Sequence, residues 1–325
     1  MTLSVIQSCI HDDMAAVDTV IRQSLHSEVS LVNNIADYIV NSGGKRLRPA
    51  LVLLSAGLFG KIDPHHHQLA AVVEFIHTAT LLHDDVVDES AKRRGQHTAN
   101  AMFGNAASVL VGDFVYSRAF QMMVAIQNMR VMAVLAETTN VIAEGEVLQL
   151  LNIHNADITD ADYLKVIHYK TAKLFEAATR LGAIINKASQ ADETALAEYG
   201  MRLGTAFQLI DDVLDLTGDA EIIGKNLGDD LAEGKPTLPL LYAMQHGNAQ
   251  QSQIIREVIE QKSGKVTSAL PDVLKAVTET GALIHVKKIA KNEADLAAKS
   301  IAHFTDSTYK LALLKLTEFA VTRTY

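Results

Sequence analysis

Proline is scarce and unevenly placed in this chain of 325 residues, at Pro49, Pro64, Pro236, Pro239 and Pro271 only. The span between Pro64 and Pro236 therefore lacks the residue that locks φ, removes a backbone donor and ends helices. Long helices are permitted there, and apolar spacing asks for them elsewhere. Ile6, Ile10, Met14, Val17, Ile21 and Leu25 recur at intervals of four, four, three, four and four, which stacks them on one helical face. No run of short alternating strands with hairpin turns occurs, and strand and helix patterns do not alternate. The chain reads as all-α, a single large bundle of long helices. No Pro-, Gly- or Ser-rich linker and no shift of composition divides it, so one domain over 1–325 is expected.

Charge and cysteine usage exclude several classes of function. A formal net charge of −9, with basic residues in small clusters rather than a broad patch, argues against nucleic acid. The lone Cys9 rules out a disulfide framework and suits a reducing, cytoplasmic compartment. The most apolar stretch, Ala106 to Ile126, contains Asp113 and Arg118 and is no transmembrane segment. Asp12 and Asp13 near the N-terminus, without a basic leader, do not read as a targeting peptide.

Against this background two acidic pentads stand out. Asp84-Asp85-Val86-Val87-Asp88 follows the apolar Thr80-Leu81-Leu82-His83, and Asp211-Asp212-Val213-Leu214-Asp215 follows Phe207-Gln208-Leu209-Ile210. Positions i and i+4 share one side of a helix and i+1 lies about 100° round, so each pentad gathers two or three carboxylates on a narrow stripe. One such stripe is most often a solvated surface. Two in apolar helices are different, because burying unpaired carboxylates costs on the order of several kcal/mol unless cations compensate. Facing clusters would hold Mg2+, which binds through one or two carboxylates at a time and completes its shell with water and phosphate. The implied substrate is a diphosphate.

Basic residues that could answer a diphosphate fall in three places. Gly43-Gly44-Lys45-Arg46-Leu47-Arg48-Pro49 sits where a first helical hairpin turns, but lacks the spacing of a Walker A loop. Lys92, Arg93 and Arg94 follow the first pentad. Gly224 to Thr237, rich in glycine and charge, reads as a mobile loop over a site. His65, His66 and His67 read as a surface cluster, and Met122 and Met123 as core.

Taken in order, GGKRLRP, EFIHTATLLHDDVVDESAKRRG, GDFVYSRAF, GEVLQL, KTAKLFEA, GTAFQLIDDVLD and GKNLGDDLAEGKPTLP resemble the trans-isoprenyl diphosphate synthases. The likeness is strongest to bacterial octaprenyl diphosphate synthases that make quinone side chains, and it runs from Gly43 to Pro239. It implies helices packed around a central cavity, as in isoprenoid synthases, and a homodimer with room for peripheral membrane contact at product release. By this resemblance Asp84, Asp85 and Asp88, with Asp211, Asp212 and Asp215, bind magnesium that grips an allylic prenyl diphosphate such as farnesyl diphosphate. Arg93, Lys170 and Lys235 add charge to that leaving group, with Lys225 also among the substrate-binding residues. Isopentenyl diphosphate rests on Lys45, Arg48, His77 and Arg94, and Thr171 and Gln208 flank the reacting carbons.

The implied chemistry suits these residue types. Breaking an allylic carbon–oxygen bond leaves negative charge on diphosphate and positive charge on carbon, so cations stabilise the departing group and no protein nucleophile is needed. The Gly224 to Pro236 loop is expected to act as a lid, because water would quench the cation. Ala79 and Thr80, about one turn before Asp84, would leave a tunnel open to a growing chain. Met123, on a facing helix expected to begin near Gly112 and Asp113, would limit it from deeper in. Alternatives are a synthase of shorter or longer chains, a terpene cyclase, a non-catalytic synthase subunit, or an HD-type metal phosphohydrolase built on His83-Asp84. The phosphohydrolase would leave the second pentad unexplained.

Overall fold

A computed structural model describes residues 3–41, 43–93, 95–217, 227–260 and 266–324. Among these the chain is helical almost throughout. It opens with α1 (Leu3–Ile6), a 3₁₀ turn at Gln7–Ile10, α2 (His11–Leu25), α3 (Ser30–Asn41), α4 (Leu47–Gly57) and α5 (Pro64–Val87). It continues through α6 (Ala99–Phe103), α7 (Asn105–Ala125), α8 (Met129–Asn152), α9 (Asp160–Ile167), a π turn at His168–Ala172, α10 (Lys173–Ile185) and α11 (Gln190–Thr217). Six further helices follow: α12 (Asp229–Ala232), α13 (Leu238–His246), α14 (Ala249–Glu260), α15 (Val266–Glu279), α16 (Ala282–Ser300) and α17 (Thr308–Thr322). Two-residue strands β1 (Lys92–Arg93) and β2 (Gln96–His97) make a small antiparallel hairpin.

Local chemistry accounts for the ends of α5. Asp63 accepts from His65 N–H, His66 reciprocates to the Asp63 backbone, and Pro64 occupies the first turn, where its missing N–H does no harm. The histidine triplet is thus not a surface cluster. His65 is exposed, but His66 is fully buried as part of the cap, and His67 lies 2.8 Å from Asp13. The helix stops where Glu89 takes a left-handed φ of 51° and Asp88 N–H closes back on the Asp84 carbonyl. Leu69, Val72, Val73, Phe75, Ile76, Ala79 and Leu82 are buried on every side, as an apolar central helix requires.

The other helices arrange themselves around that core. α5 packs on α4, α7 and α10, while α10 also packs on α11, which α16 covers from the far side. A large apolar cluster joins α2, α4, α5, α7 and α10, and a smaller one around Tyr163, Leu209, Val213, Val286 and Ala290 lies beneath the end of α11. The amphipathic start of the chain is helical, with Ile6, Ile10, Val17, Ile21 and Leu25 buried, though the 3₁₀ turn interrupts it. α7 begins at Asn105, earlier than the expected start near Gly112. Gly112 serves close packing instead, since a Cβ there would come 2.4 Å from His83 Nε2. No helix among the described residues is long and apolar enough to cross a membrane.

Candidate active site

Both acidic pentads lie at helix C-termini. Asp84 and Asp85 belong to the last turn of α5 with Asp88 as its cap, and Asp211, Asp212 and Asp215 occupy the end of α11. The helix dipole is negative there, which disfavours a carboxylate by about 0.3–1 kcal/mol even at the surface. Compensation must come from elsewhere in the protein, and it does.

Around the first pentad that compensation is cationic. Lys170 Nζ stands 3.4 Å from Asp84 Oδ2 and 2.6 Å from Glu146 Oε2. Arg93, on β1, holds the buried Asp85 through Nη2 at 2.7 Å and Nε at 2.9 Å. Lys235 Nζ reaches Asp88 at 3.0 Å and Glu233 at 2.5 Å. Burial alone would lower both lysines, but Asp84 and Glu146 outweigh it at Lys170, and Asp230, Glu233 and Asp88 outweigh it at Lys235, so both are raised and stay charged. Burial pushes the Glu146 carboxyl up to about 7, with Asp84 adding to the rise and Lys170 opposing it. Two backbone features bring these groups together. The π turn re-aims Lys170 and Thr171, and Gly145 lets α8 approach it, since a Cβ there would fall 2.8 Å from Lys170 N.

The second pentad is held differently. Arg323, buried just after α17, donates from Nη1 to Asp211 Oδ1 and from Nη2 to the Phe207 carbonyl, both at 2.7 Å. Asp212 accepts from Tyr163 Oη at 2.5 Å and from Gln208 Nε2 at 2.9 Å. Burial, then Asp230, raises Asp212, while Tyr163 and Gln208 pull it back. The Asp215 carbonyl accepts from Gly228 N–H at 2.8 Å, which anchors α12. From Leu227 onward the expected mobile loop is thus a short helix tied down at both ends, His154 N–H donating to Gly234 O at 2.9 Å.

All of this surrounds one cavity of about 690 Å³. Its wall carries Asp84, Asp88, Asp211, Asp212 and Asp215, and also Lys45, Arg48, His77, Arg93, Lys170, Thr171, Gln208 and Lys235. Lys45 lies over the Phe207 ring at 5.7 Å and Arg48 over Phe175 at 4.8 Å, so two tilted aromatic rings support the cations of the α3–α4 turn. Arg323 packs on Phe207 as well, at 3.7 Å. Thr80 lines the cavity, whereas Asp85 faces Arg93, and Ala79 and Met123 are fully buried in the packed core. Arg94 and Lys225 fall outside the described residues. Glu146, Tyr163, Phe175 and Arg323 are site residues that motif reading did not single out, although Glu146 sits inside GEVLQL and Phe175 inside KTAKLFEA. His83, the basis of the phosphohydrolase alternative, faces Asp113 of α7 at 3.3 Å.

A helical bundle with acidic helix ends and cationic side chains around one cavity is the fold of the isoprenyl synthases. The family model for polyprenyl synthetase matches residues 29–277, and the chain belongs to that family. It is 51% identical over 323 residues to octaprenyl diphosphate synthase of Escherichia coli (strain K12), covering 99% of each. It is 45% identical to the geranyl-diphosphate-specific all-trans-nonaprenyl-diphosphate synthase of Rhodobacter capsulatus, over 97% of this chain and 96% of that one. Among solved structures, polyprenyl synthase from Caulobacter crescentus CB15, complexed with calcium and isoprenyl diphosphate, superposes with a TM-score of 0.95 at 41% identity, covering 100% of this chain and 98% of that one.

Proposed function

We propose that this protein is a long-chain trans-polyprenyl diphosphate synthase, one catalytic domain over residues 1–325. It adds isopentenyl diphosphate head-to-tail to an allylic diphosphate such as farnesyl diphosphate, ending at about octaprenyl diphosphate for a quinone side chain. The observation that carries this reading is one cavity whose wall brings together carboxylates from two helix ends and lysine and arginine on an aromatic base. Full-length similarity to octaprenyl diphosphate synthases supports the chain length.

The donor set fits magnesium, since Asp84, Asp88, Asp211 and Asp215 on the cavity wall offer only hard oxygen. Bound there, magnesium would add positive charge to the leaving diphosphate. Lys170, Lys235 and Arg93 orient that diphosphate, and Lys45, Arg48 and His77 bind isopentenyl diphosphate; Arg94 and Lys225 join these sets on resemblance alone. The allylic carbon–oxygen bond breaks with its electron pair leaving on diphosphate. The double bond of isopentenyl diphosphate attacks the cation, and one proton passes to a diphosphate oxygen. Thr171 Oγ1, 3.0 Å from Gln208 Oε1, places two polar oxygens where the positive charge travels. The product is again allylic and re-enters the cycle.

The protein works in the cytoplasm as a homodimer. Val109, Leu110, Val147, Leu150 and Leu151 on α7 and α8 are exposed apolar side chains that a second copy would cover. The decisive experiment incubates the protein with farnesyl diphosphate, isopentenyl diphosphate and magnesium, then dephosphorylates and sizes the alcohols. Octaprenol is expected, and its loss on chelation. Alcohols no longer than the primer would overturn the assignment.

A further inference from the structure

Asp212 is the most deeply buried carboxylate of the two pentads, 2% exposed, and it makes no ion pair among the described residues. Both its oxygens are engaged by neutral donors, Oδ2 by the Tyr163 hydroxyl at 2.5 Å and Oδ1 by Gln208 Nε2 at 2.9 Å. Tyr163, itself 5% exposed, is placed by local chemistry. It lies in the first turn of α9, which Thr159 and Asp162 cap reciprocally, and it packs in the apolar cluster with Leu209 and Val213 beneath the end of α11.

This arrangement decides which way an amide faces. A glutamine side chain has a donor end and an acceptor end of nearly the same shape, and its neighbours choose between them. The Tyr163 hydroxyl takes up Oδ2 and leaves Oδ1 as the acceptor, so the Nε2 of Gln208 turns to Asp212 and Oε1 turns away. Oε1 then meets Thr171 Oγ1 at 3.0 Å, on the cavity wall. With the amide reversed, an N–H group would face a developing carbocation and repel it.

We propose that Tyr163 and Asp212 are a positioning pair, which fixes the Gln208 amide with its carbonyl oxygen toward the reacting carbons. Asp212 then serves the organic cation through Gln208 rather than the metal, and the second pentad offers the metal only Asp211 and Asp215. The inference rests on the prenyl-transfer reading above. Tyr163 acts through the carboxylate it bonds.

The test compares Tyr163→Phe, Gln208→Ala, their double variant, Asp211→Asn and Asp212→Asn. It measures kcat, both Michaelis constants and the magnesium concentration that gives half-maximal rate. Tyr163→Phe should lower kcat on the order of tenfold, as loss of an orienting partner does, and leave both Michaelis constants and the magnesium requirement within about twofold. The double variant should be no slower than Gln208→Ala. Asp211→Asn should raise the magnesium requirement, and Asp212→Asn should not. Independent, multiplying losses in the double variant, or a raised magnesium requirement in Tyr163→Phe or Asp212→Asn, would overturn the pair. Should Tyr163→Phe unfold, Asp212→Asn decides, because asparagine still accepts from Gln208 and donates to the tyrosine oxygen. Wild-type protein that joins no isoprene units would refute the prenyl-transfer reading and this inference with it. An active wild type confines any other failure to the positioning pair.

Discussion

In the first pentad every carboxylate meets a cation, Asp84 with Lys170, Asp85 with Arg93 and Asp88 with Lys235. In the second, Asp211 meets Arg323, Asp212 rests on a phenol and an amide, and an Asp215 carboxylate oxygen accepts from Asp230 N–H. The two sequences differ only at Val87 against Leu214. A near-repeat in sequence is therefore not a repeat in electrostatics. Around the first pentad, the cations that hold the carboxylates are the same ones that, in the proposed reaction, would grip a leaving phosphate. The second is rooted in the apolar cluster around Tyr163, Leu209 and Val213, and its most buried carboxylate, Asp212, is held by neutral donors.

The sharpest way to break this comparison is to delete one carboxylate from each side. Asp84→Ala and Asp211→Ala should each reduce kcat on the order of 10²-fold or more, because each removes a charged ligand from a site that works by electrostatics. Circular dichroism should show both folded. Chelation should abolish wild-type activity and added magnesium restore it. Near wild-type turnover in either variant would sink the metal assignment.

Next in size is a division between the two diphosphates. Lys45 belongs to the α3–α4 turn and lies over Phe207, whereas Arg93 is committed to Asp85. Lys45→Ala should raise the Michaelis constant of isopentenyl diphosphate on the order of tenfold and that of the allylic substrate much less, since one charge-assisted contact is lost. Arg93→Ala should do the reverse. Steady-state kinetics with each substrate varied in turn checks both, and equal effects on both substrates would contradict the division.

Sequence reached the pentads, the GGKRLRP turn and KTAK because their residues are adjacent and their chemistry is dense. It reached the helical fold because proline placement and four-residue spacing are local signals. The partners were out of reach. Lys170 meets Glu146 across 24 positions, Asp212 meets Tyr163 across 49, and Asp211 meets Arg323 across 112. Each partner is a single polar residue within or just beyond a helix, a pattern that a solvated face shares. The π turn at His168–Ala172 leaves no compositional trace, yet it sets where Lys170 and Thr171 point. The burial of His66 was equally hidden, since a histidine triplet after proline looks the same whether it caps a helix or faces water.

Chain length tests where the hydrocarbon goes. Thr80 is on the cavity wall, and its neighbour Ala79 is fully buried behind it. Ala79→Tyr should shorten the product to short prenyl chains while destabilising the fold by about 1–3 kcal/mol, the usual cost of overpacking a filled core. Met123→Ala, on α7, should lengthen the product or broaden its distribution. Chromatography of the dephosphorylated products reads both. General damage would slow both variants without moving lengths in opposite directions, so unchanged lengths at measurable activity would place the tunnel elsewhere.

The smallest effect is on stability and isolates the first pentad's surroundings. Glu146 is raised by burial, then by Asp84, to about 7 from an ordinary value of 4.5. A carboxyl raised on folding binds its proton more tightly in the native state. Its contribution to stability is therefore complete below the unfolded value and is lost as pH rises through the folded one. Metal-free protein should accordingly lose melting temperature between about pH 5 and about pH 8, with a slope from this group of at most ~1.4 kcal/mol per pH unit. Glu146→Gln keeps the shape and an acceptor for Lys170 but cannot titrate, so its melting curve should be flatter over the same interval. An identical slope in the variant would show that Lys170 compensates the Glu146 charge fully.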